Sequence, residues 1–165
     1  LLRVPRPMPR HEGTFRWICN PANATQSTQD ATWYCDGSLL HVSCKPYRAT
    51  GFGVVVVSRN GDLLGYGFDT PPSRIATAAA AELWALRFIL SLNPFPPMSR
   101  TDCQSIIRQQ CDEPTLSLST PVSLGGFWKD VAELVGDDVS TLVSSGLLVW
   151  VPAHLTMAAT GEARL

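Results

Sequence analysis

Charge is scarce in this chain. Only 16% of its 165 residues are charged, and the net charge at pH 7 is −1. No long-range field draws such a chain to nucleic acid, which counts against a protein that binds phosphate backbones by bulk charge alone. A site that holds phosphate through metal ions tolerates this balance better. Paired zinc-type cysteines are also missing. The five cysteines, Cys19, Cys35, Cys44, Cys103 and Cys111, are odd in number and contain no CxxC pair. This argues against a zinc module and against a disulfide framework. Free thiols in a reducing compartment are expected, which points to an intracellular location, cytoplasm or nucleus. No segment reaches the roughly 18 apolar residues of a membrane span. The opening Leu1 to Arg10 lacks the apolar centre of a secretory signal, so no membrane partner is expected.

What is present is apolar. Hydrophobic residues make up 45% of the chain, and its length is that of one domain, enough to bury a core without disulfides. Residues 1–30 are rich in Pro, Arg, Asn, Thr and Gln and read as an irregular N-terminal extension or linker. Residues 31–165 read as the domain proper.

The periodicity within the domain is mixed. Trp33 to Cys35 reads as a strand, and the Val-rich run Gly51 to Ser58 reads as a buried one. Arg59-Asn60-Gly61-Asp62 is a hairpin turn, and Leu63 to Phe68 returns as the third strand. Ile75 to Leu92 has helical spacing and stops at Asn93-Pro94. A short strand is expected at Met98 to Thr101 and a short helix at Cys103 to Gln110. A Pro, Ser and Thr loop spans 111–124. Phe127 to Val135 is helical, and Gly146 to Val151 is the last strand. This order predicts a mixed α/β domain.

Three acids stand at the junctions. Asp36 lies in Thr-Trp-Tyr-Cys-Asp-Gly-Ser (32–38), Glu82 in the first turns of the long helix, and Asp102 at the start of the next helix. His154 follows the last strand. Taken singly, each has a plain reading: a turn for Asp-Gly-Ser, a solvated face for Glu82, a helix cap for Asp102, a loop histidine for His154. Taken together, clustered carboxylates repel and need a cation, and hard oxygen ligands can hold two divalent ions about 4 Å apart for phosphodiester cleavage. Trp84, Trp128 and Trp150 read as core rather than as base-stacking platforms.

The order of these motifs resembles the ribonuclease H family. Asp36-Gly37-Ser38, the glycine-bearing run Gly51-Phe52-Gly53-Val54-Val55, Ala81-Glu82-Leu83, Thr101-Asp102-Cys103-Gln104 and Trp150-Val151-Pro152-Ala153-His154 follow the family's sequence of motifs. The resemblance covers residue 32 to about residue 160. It implies an α/β fold with a five-stranded mixed sheet, three antiparallel strands and then parallel additions, and helices on both faces. It implies a metal-dependent endonuclease that hydrolyses the RNA strand of RNA–DNA hybrids with two Mg²⁺ or Mn²⁺ ions. Asp36, Glu82 and Asp102 match the metal ligands, and His154 matches a mobile catalytic histidine. Gly37, Ser38 and Gln104 match positions that touch the substrate backbone or sugar, where 2′-hydroxyls distinguish RNA from DNA. The partners implied are the hybrid itself and, in retroelement polyproteins, a fused reverse transcriptase or other domains.

Three departures qualify the match. The family's fourth carboxylate, on a last helix, has no counterpart: Glu162 is the only acid after His154. Either the chain stops before that helix or the site is degenerate. The three surviving ligands favour the first. Degeneracy would instead make this a catalytically inactive nucleic-acid-binding or scaffolding domain. The family's paired asparagines before the helix glutamate are replaced by Ala78 and Ala79. The basic protrusion carried by some members is absent, with Lys129 the sole basic residue between Cys111 and Gly136.

Overall fold

A computed structural model of the chain describes residues 15–25, 27–28, 30–40, 49–112, 124–136 and 139–152. Among the described residues, six strands form one sheet. They are β1 (Arg16–Cys19), β2 (Thr32–Leu40), β3 (Ala49–Val57), β4 (Leu63–Asp69), β5 (Ser99–Thr101) and β6 (Leu148–Trp150). The helices are α1 (Ala78–Leu92), α2 (Gln104–Asp112), α3 (Gly125–Val135) and α4 (Ser140–Ser144). The sheet order is β1-β4-β3-β2-β5-β6. Strands β2, β3 and β4 form an antiparallel meander, whereas β5 and β6 add in parallel beside β2.

The sheet thus has six strands where five were expected. The extra one, Arg16–Cys19, lies within the segment read as irregular and pairs antiparallel with β4 at the sheet edge. Its polar surroundings hide the signal, and tertiary contacts supply it. The Phe15 ring stacks on Phe88 at 4.1 Å, and Trp17 meets Phe15 edge-on at 4.8 Å. Gly67 makes room, since a β-carbon there would collide with Phe15 and with the Arg16 carbonyl.

Strand alternation decides which face is buried. Trp33, Cys35, Phe52, Val54, Val56 and Leu64 point into one core, joined by Leu83, Leu86 and Ile89 of α1, Ile106 of α2, Trp128 and Val131 of α3 and Leu142 of α4. Each fully buried aliphatic side chain contributes about 1.5–3 kcal/mol, so this shared core fixes the register of the sheet. The other face presents Tyr34, Val55, Tyr66 and Phe68, all more than a third exposed.

Helix α1 begins at Ala78, three residues later than its spacing suggested. Thr77 has an extended backbone and caps the helix, its Oγ1 accepting the Ala80 N–H at 3.1 Å. A capping hydroxyl of this kind is worth about 1 kcal/mol, and it outweighs the apolar periodicity that reached back to Ile75. Strand β2 also runs longer than the sequence indicated. Its ladder with β3 continues to Leu40 opposite Ala49, so Asp36 lies within the strand. Only the parallel pairing with β5 stops at Cys35 opposite Thr101.

Candidate metal centre

That stop creates the site. Beyond Cys35 and Thr101, β2 and β5 separate, and the next residue on each strand line is an acid: Asp36 on one, Asp102 on the other. Glu82 reaches the gap from α1. One carboxylate oxygen from each of Asp36, Glu82 and Asp102 lies within 4.8 Å of the others. Opposite oxygens in a Mg²⁺ or Ca²⁺ shell are roughly 4–5 Å apart, so the span fits a divalent cation. Carboxylate oxygens are hard donors that suit such ions rather than zinc or copper.

Gly37 is what lets Glu82 in. A β-carbon at Gly37 would overlap the Glu82 backbone and the Ala78 carbonyl oxygen. Glycine is required here for close approach. The Gly37 N–H then donates to Glu82 Oε2 at 3.2 Å. On the other side, the Thr101 hydroxyl donates to Glu82 Oε1. The backbone N–H groups of Asp102 and Cys103 reach the same oxygen at 3.1 and 3.3 Å. The Glu82 carboxylate is therefore oriented by four donors from two strand ends.

Burial dominates the electrostatics. Glu82 is only 3% exposed, and its carboxyl is pushed up from 4.5 to about 7. Desolvation is the main cause, with repulsion from Asp102 and Asp36 adding to it. The bonds from Thr101 and Gly37 hold it down. Crowded carboxylates with little access to water raise one another's proton affinity, and a divalent cation among them would relieve that repulsion. The Cys35 thiol, buried behind Glu82, is likewise pushed up by burial and then by the Glu82 charge. It donates to the Arg100 carbonyl at 3.4 Å, which suits packing rather than ligation. The four described cysteines, Cys19, Cys35, Cys103 and Cys111, are free thiols.

Asp36 is exposed, Glu82 buried and Asp102 half-buried, so the cluster opens to solvent on the Asp36 side. Ser38 and Gln104 are also exposed, and the Ser38 hydroxyl donates to the Gly51 carbonyl at 3.4 Å. Gly37 is half-buried, with its N–H committed to Glu82. His154 lies outside the described residues, as do Cys44, the loop residues 113–123 and the chain end with Glu162.

Two contributors escaped the sequence reading. Thr101 sits inside the Thr-Asp-Cys-Gln motif, and a hydroxyl next to a buried carboxylate is the signal that identifies it. Trp150 departs from the core position expected of it. It is 40% exposed, and its Nε1 donates to the Asp102 carbonyl at 3.0 Å, which ties β6 to the acid's turn. Trp128 is fully buried, as expected.

No family model and no curated protein matches the sequence. Solved structures do match in fold. A foamy viral protease–reverse transcriptase in complex with an RNA/DNA hybrid aligns with a TM-score of 0.56 at 16% identity, over 98% of this chain and 21% of that one. A chain from the same foamy viral protein in complex with dsDNA gives 0.54 at 20% identity, over 82% of this chain and 89% of that one. The solution structure of the PFV RNase H domain gives 0.53 at 17% identity, over 81% and 88% respectively. The chain thus spans about a fifth of the first and most of the other two. The fold is RNase H-like.

Proposed function

We propose that this domain is a ribonuclease H-type endonuclease that hydrolyses the RNA strand of RNA–DNA hybrids with Mg²⁺ or Mn²⁺. The observation that carries the reading is the meeting of Asp36, Glu82 and Asp102 oxygens within 4.8 Å where two parallel strands part. In open α/β sheets, that strand-end crevice is where ligands bind.

Each residue has a role that follows from its setting. Asp36 and Asp102 offer carboxylates toward solvent, where a phosphodiester can approach. Glu82 closes the site from below, held in one rotamer by Gly37, Thr101 and the Asp102 and Cys103 amides. Its raised proton affinity means that cation binding displaces a proton near neutral pH. Two divalent ions held by this set would supply water activation and stabilise the leaving oxygen. Ser38 and Gln104 are assigned as contacts for the RNA sugar, and His154 as the histidine that assists nucleophile delivery or product release.

The similar structures support the same direction. One is a protease–reverse transcriptase bound to an RNA/DNA hybrid, so a hybrid substrate and a fused reverse transcriptase are the partners we assign. An intracellular site of action fits the free thiols. We place the catalytic domain at residues 31–165, with the segment before it as an extension that lends β1 to the sheet.

The test is substrate choice. The full chain is incubated with Mg²⁺ and labelled RNA–DNA hybrid, RNA duplex, DNA duplex and single-stranded RNA. Cutting confined to the RNA of the hybrid supports the reading. Metal-dependent cutting of DNA duplex instead, or no cutting of any substrate by the folded protein, contradicts it.

A further inference from the structure

Trp150 is held by a hydrogen bond rather than by burial. Leu148, on the same face of β6, is 2% exposed, whereas Trp150 two residues on is 40% exposed. The strand has passed the edge of the core by that point. The indole Nε1–H still has a partner, the Asp102 carbonyl oxygen at 3.0 Å. Trp128 is the contrast, since its ring is fully buried and packing fixes it.

The partner matters because Asp102 is one of the three acids. The two peptide planes on either side of its α-carbon set its φ and ψ. Those angles set the direction in which the carboxylate leaves the backbone. Both planes are bonded at both ends. In the plane before Asp102, the Thr101 carbonyl accepts the Val151 N–H at 2.9 Å, and the Asp102 N–H donates to Glu82 Oε1 at 3.1 Å. In the plane after it, the Asp102 carbonyl accepts the Trp150 indole N–H, and the Cys103 N–H donates to Glu82 Oε1 at 3.3 Å. Glu82 thus holds the N–H ends, and β6 with the residue after it holds the carbonyl ends. The Val151 bond is backbone, and any residue but proline supplies it. The Trp150 bond needs a ring donor at that position.

We propose that Trp150 is a positioning residue for the cation centre, its indole N–H fixing the peptide plane that aims the Asp102 carboxylate. The proposal rests on the reading of Asp36, Glu82 and Asp102 as cation ligands. Groups that orient a ligand without touching the ion change metal affinity when they are removed. Without the indole bond, the plane after Asp102 is tied at its N–H end alone. The carboxylate then gains freedom that ion binding must remove.

Two substitutions separate this role from packing. Trp150→Phe keeps an aromatic ring and removes the donor. Trp150→His removes more of the ring but returns an N–H, because imidazole Nε2 is as many bonds from the backbone as indole Nε1. Mg²⁺ binding to the full chain is followed by NMR through the amide signals of Asp102 and Cys103. The titration is run at about pH 8, where imidazole is neutral, and Mg²⁺ is used because it favours oxygen over nitrogen ligands. Trp150→Phe is expected to weaken Mg²⁺ binding about 3- to 10-fold, the range for one hydrogen bond. Trp150→His is expected to recover part of that loss. Packing alone predicts the opposite ranking, since the imidazole buries less apolar area. Binding by Trp150→His no tighter than by Trp150→Phe therefore overturns the proposal, as does affinity within about twofold of wild type in both variants. Wild type gives a second readout that needs no variant to fold. Its Trp150 indole N–H signal should shift on Mg²⁺ saturation by more than that of Trp128, whose Nε1 donates to Gln109 at 3.0 Å. A Trp150 shift no larger than that of Trp128 overturns the proposal too. Wild type that binds Mg²⁺ but cuts no hybrid counts against the nuclease reading alone. Wild type that binds no Mg²⁺ counts against both.

Discussion

Gly37 and Glu82 are in closer contact than any other residue type at position 37 would allow. A β-carbon on Gly37 would fall inside the backbone of α1 at Glu82, and the Gly37 N–H donates to Glu82 Oε2 at 3.2 Å. One position thus sets both the spacing of helix on sheet and the direction of the buried carboxylate.

Gly37→Ala should accordingly lower stability and disturb the acid cluster together. Overpacking of a filled site costs about 1–3 kcal/mol, and here the obstacle is backbone, which yields less than a side chain. Urea unfolding should show a lower midpoint, and Mn²⁺ titration should show weaker binding. A variant as stable as wild type with unchanged Mn²⁺ affinity contradicts the close approach.

Thr101→Val removes the hydroxyl donor from Glu82 while keeping the shape. A buried acceptor left short of a donor costs about 1–3 kcal/mol. Because the Thr101 bond holds the Glu82 proton affinity down, its loss pushes that affinity further up. The pH at which Mg²⁺ binding is half-maximal should rise. A midpoint that stays put or falls argues against Thr101 as the group that positions Glu82.

The pH dependence of the metal-free protein has a definite sign. The folded state holds the Glu82 proton up to about pH 7, against an ordinary value of 4.5. The unfolded chain releases it earlier, so its contribution to stability is full below about 4.5 and is lost as the pH rises through about 7. The slope approaches about 1.4 kcal/mol per pH unit in that window. Unfolding in EDTA between pH 4.5 and 8 should show this decline, and Glu82→Gln should flatten it. Metal-free stability that rises over the window, with Glu82→Gln behaving as wild type, contradicts the assignment.

How far the sequence could be read follows from which interactions are local. The Val-rich β3, the Asn-Gly turn and the Ala-rich α1 carry their own periodicity and turn chemistry, so they were readable without a partner. The edge strand Arg16–Cys19 was not, because its signal is a long-range cluster of Phe15, Trp17, Phe52 and Phe88 rings. The acids Asp36, Glu82 and Asp102 were visible from motif order alone. Their support was only half visible. Thr101 and Trp150 act through bonds to residues 19 and 48 positions away, and no spacing rule links such distant positions.

Asp36→Asn should separate ligand loss from fold loss. Asp36 is exposed, so the substitution should leave the unfolding midpoint in EDTA nearly unchanged while weakening Mn²⁺ binding about 10-fold or more, the scale at which a charged ligand matters. Calorimetric titration reads the second and urea unfolding the first. Undiminished Mn²⁺ binding excludes Asp36 from the ligand set.

The most direct single measurement is cleavage of an RNA–DNA hybrid, labelled on the RNA, by wild type and Asp102→Asn in Mg²⁺ and in EDTA. The account predicts RNA cutting by wild type in Mg²⁺ only, with the rate lost in Asp102→Asn although the variant remains folded. Cutting that persists in EDTA, or at the wild-type rate in Asp102→Asn, contradicts a cation centre built on Asp36, Glu82 and Asp102.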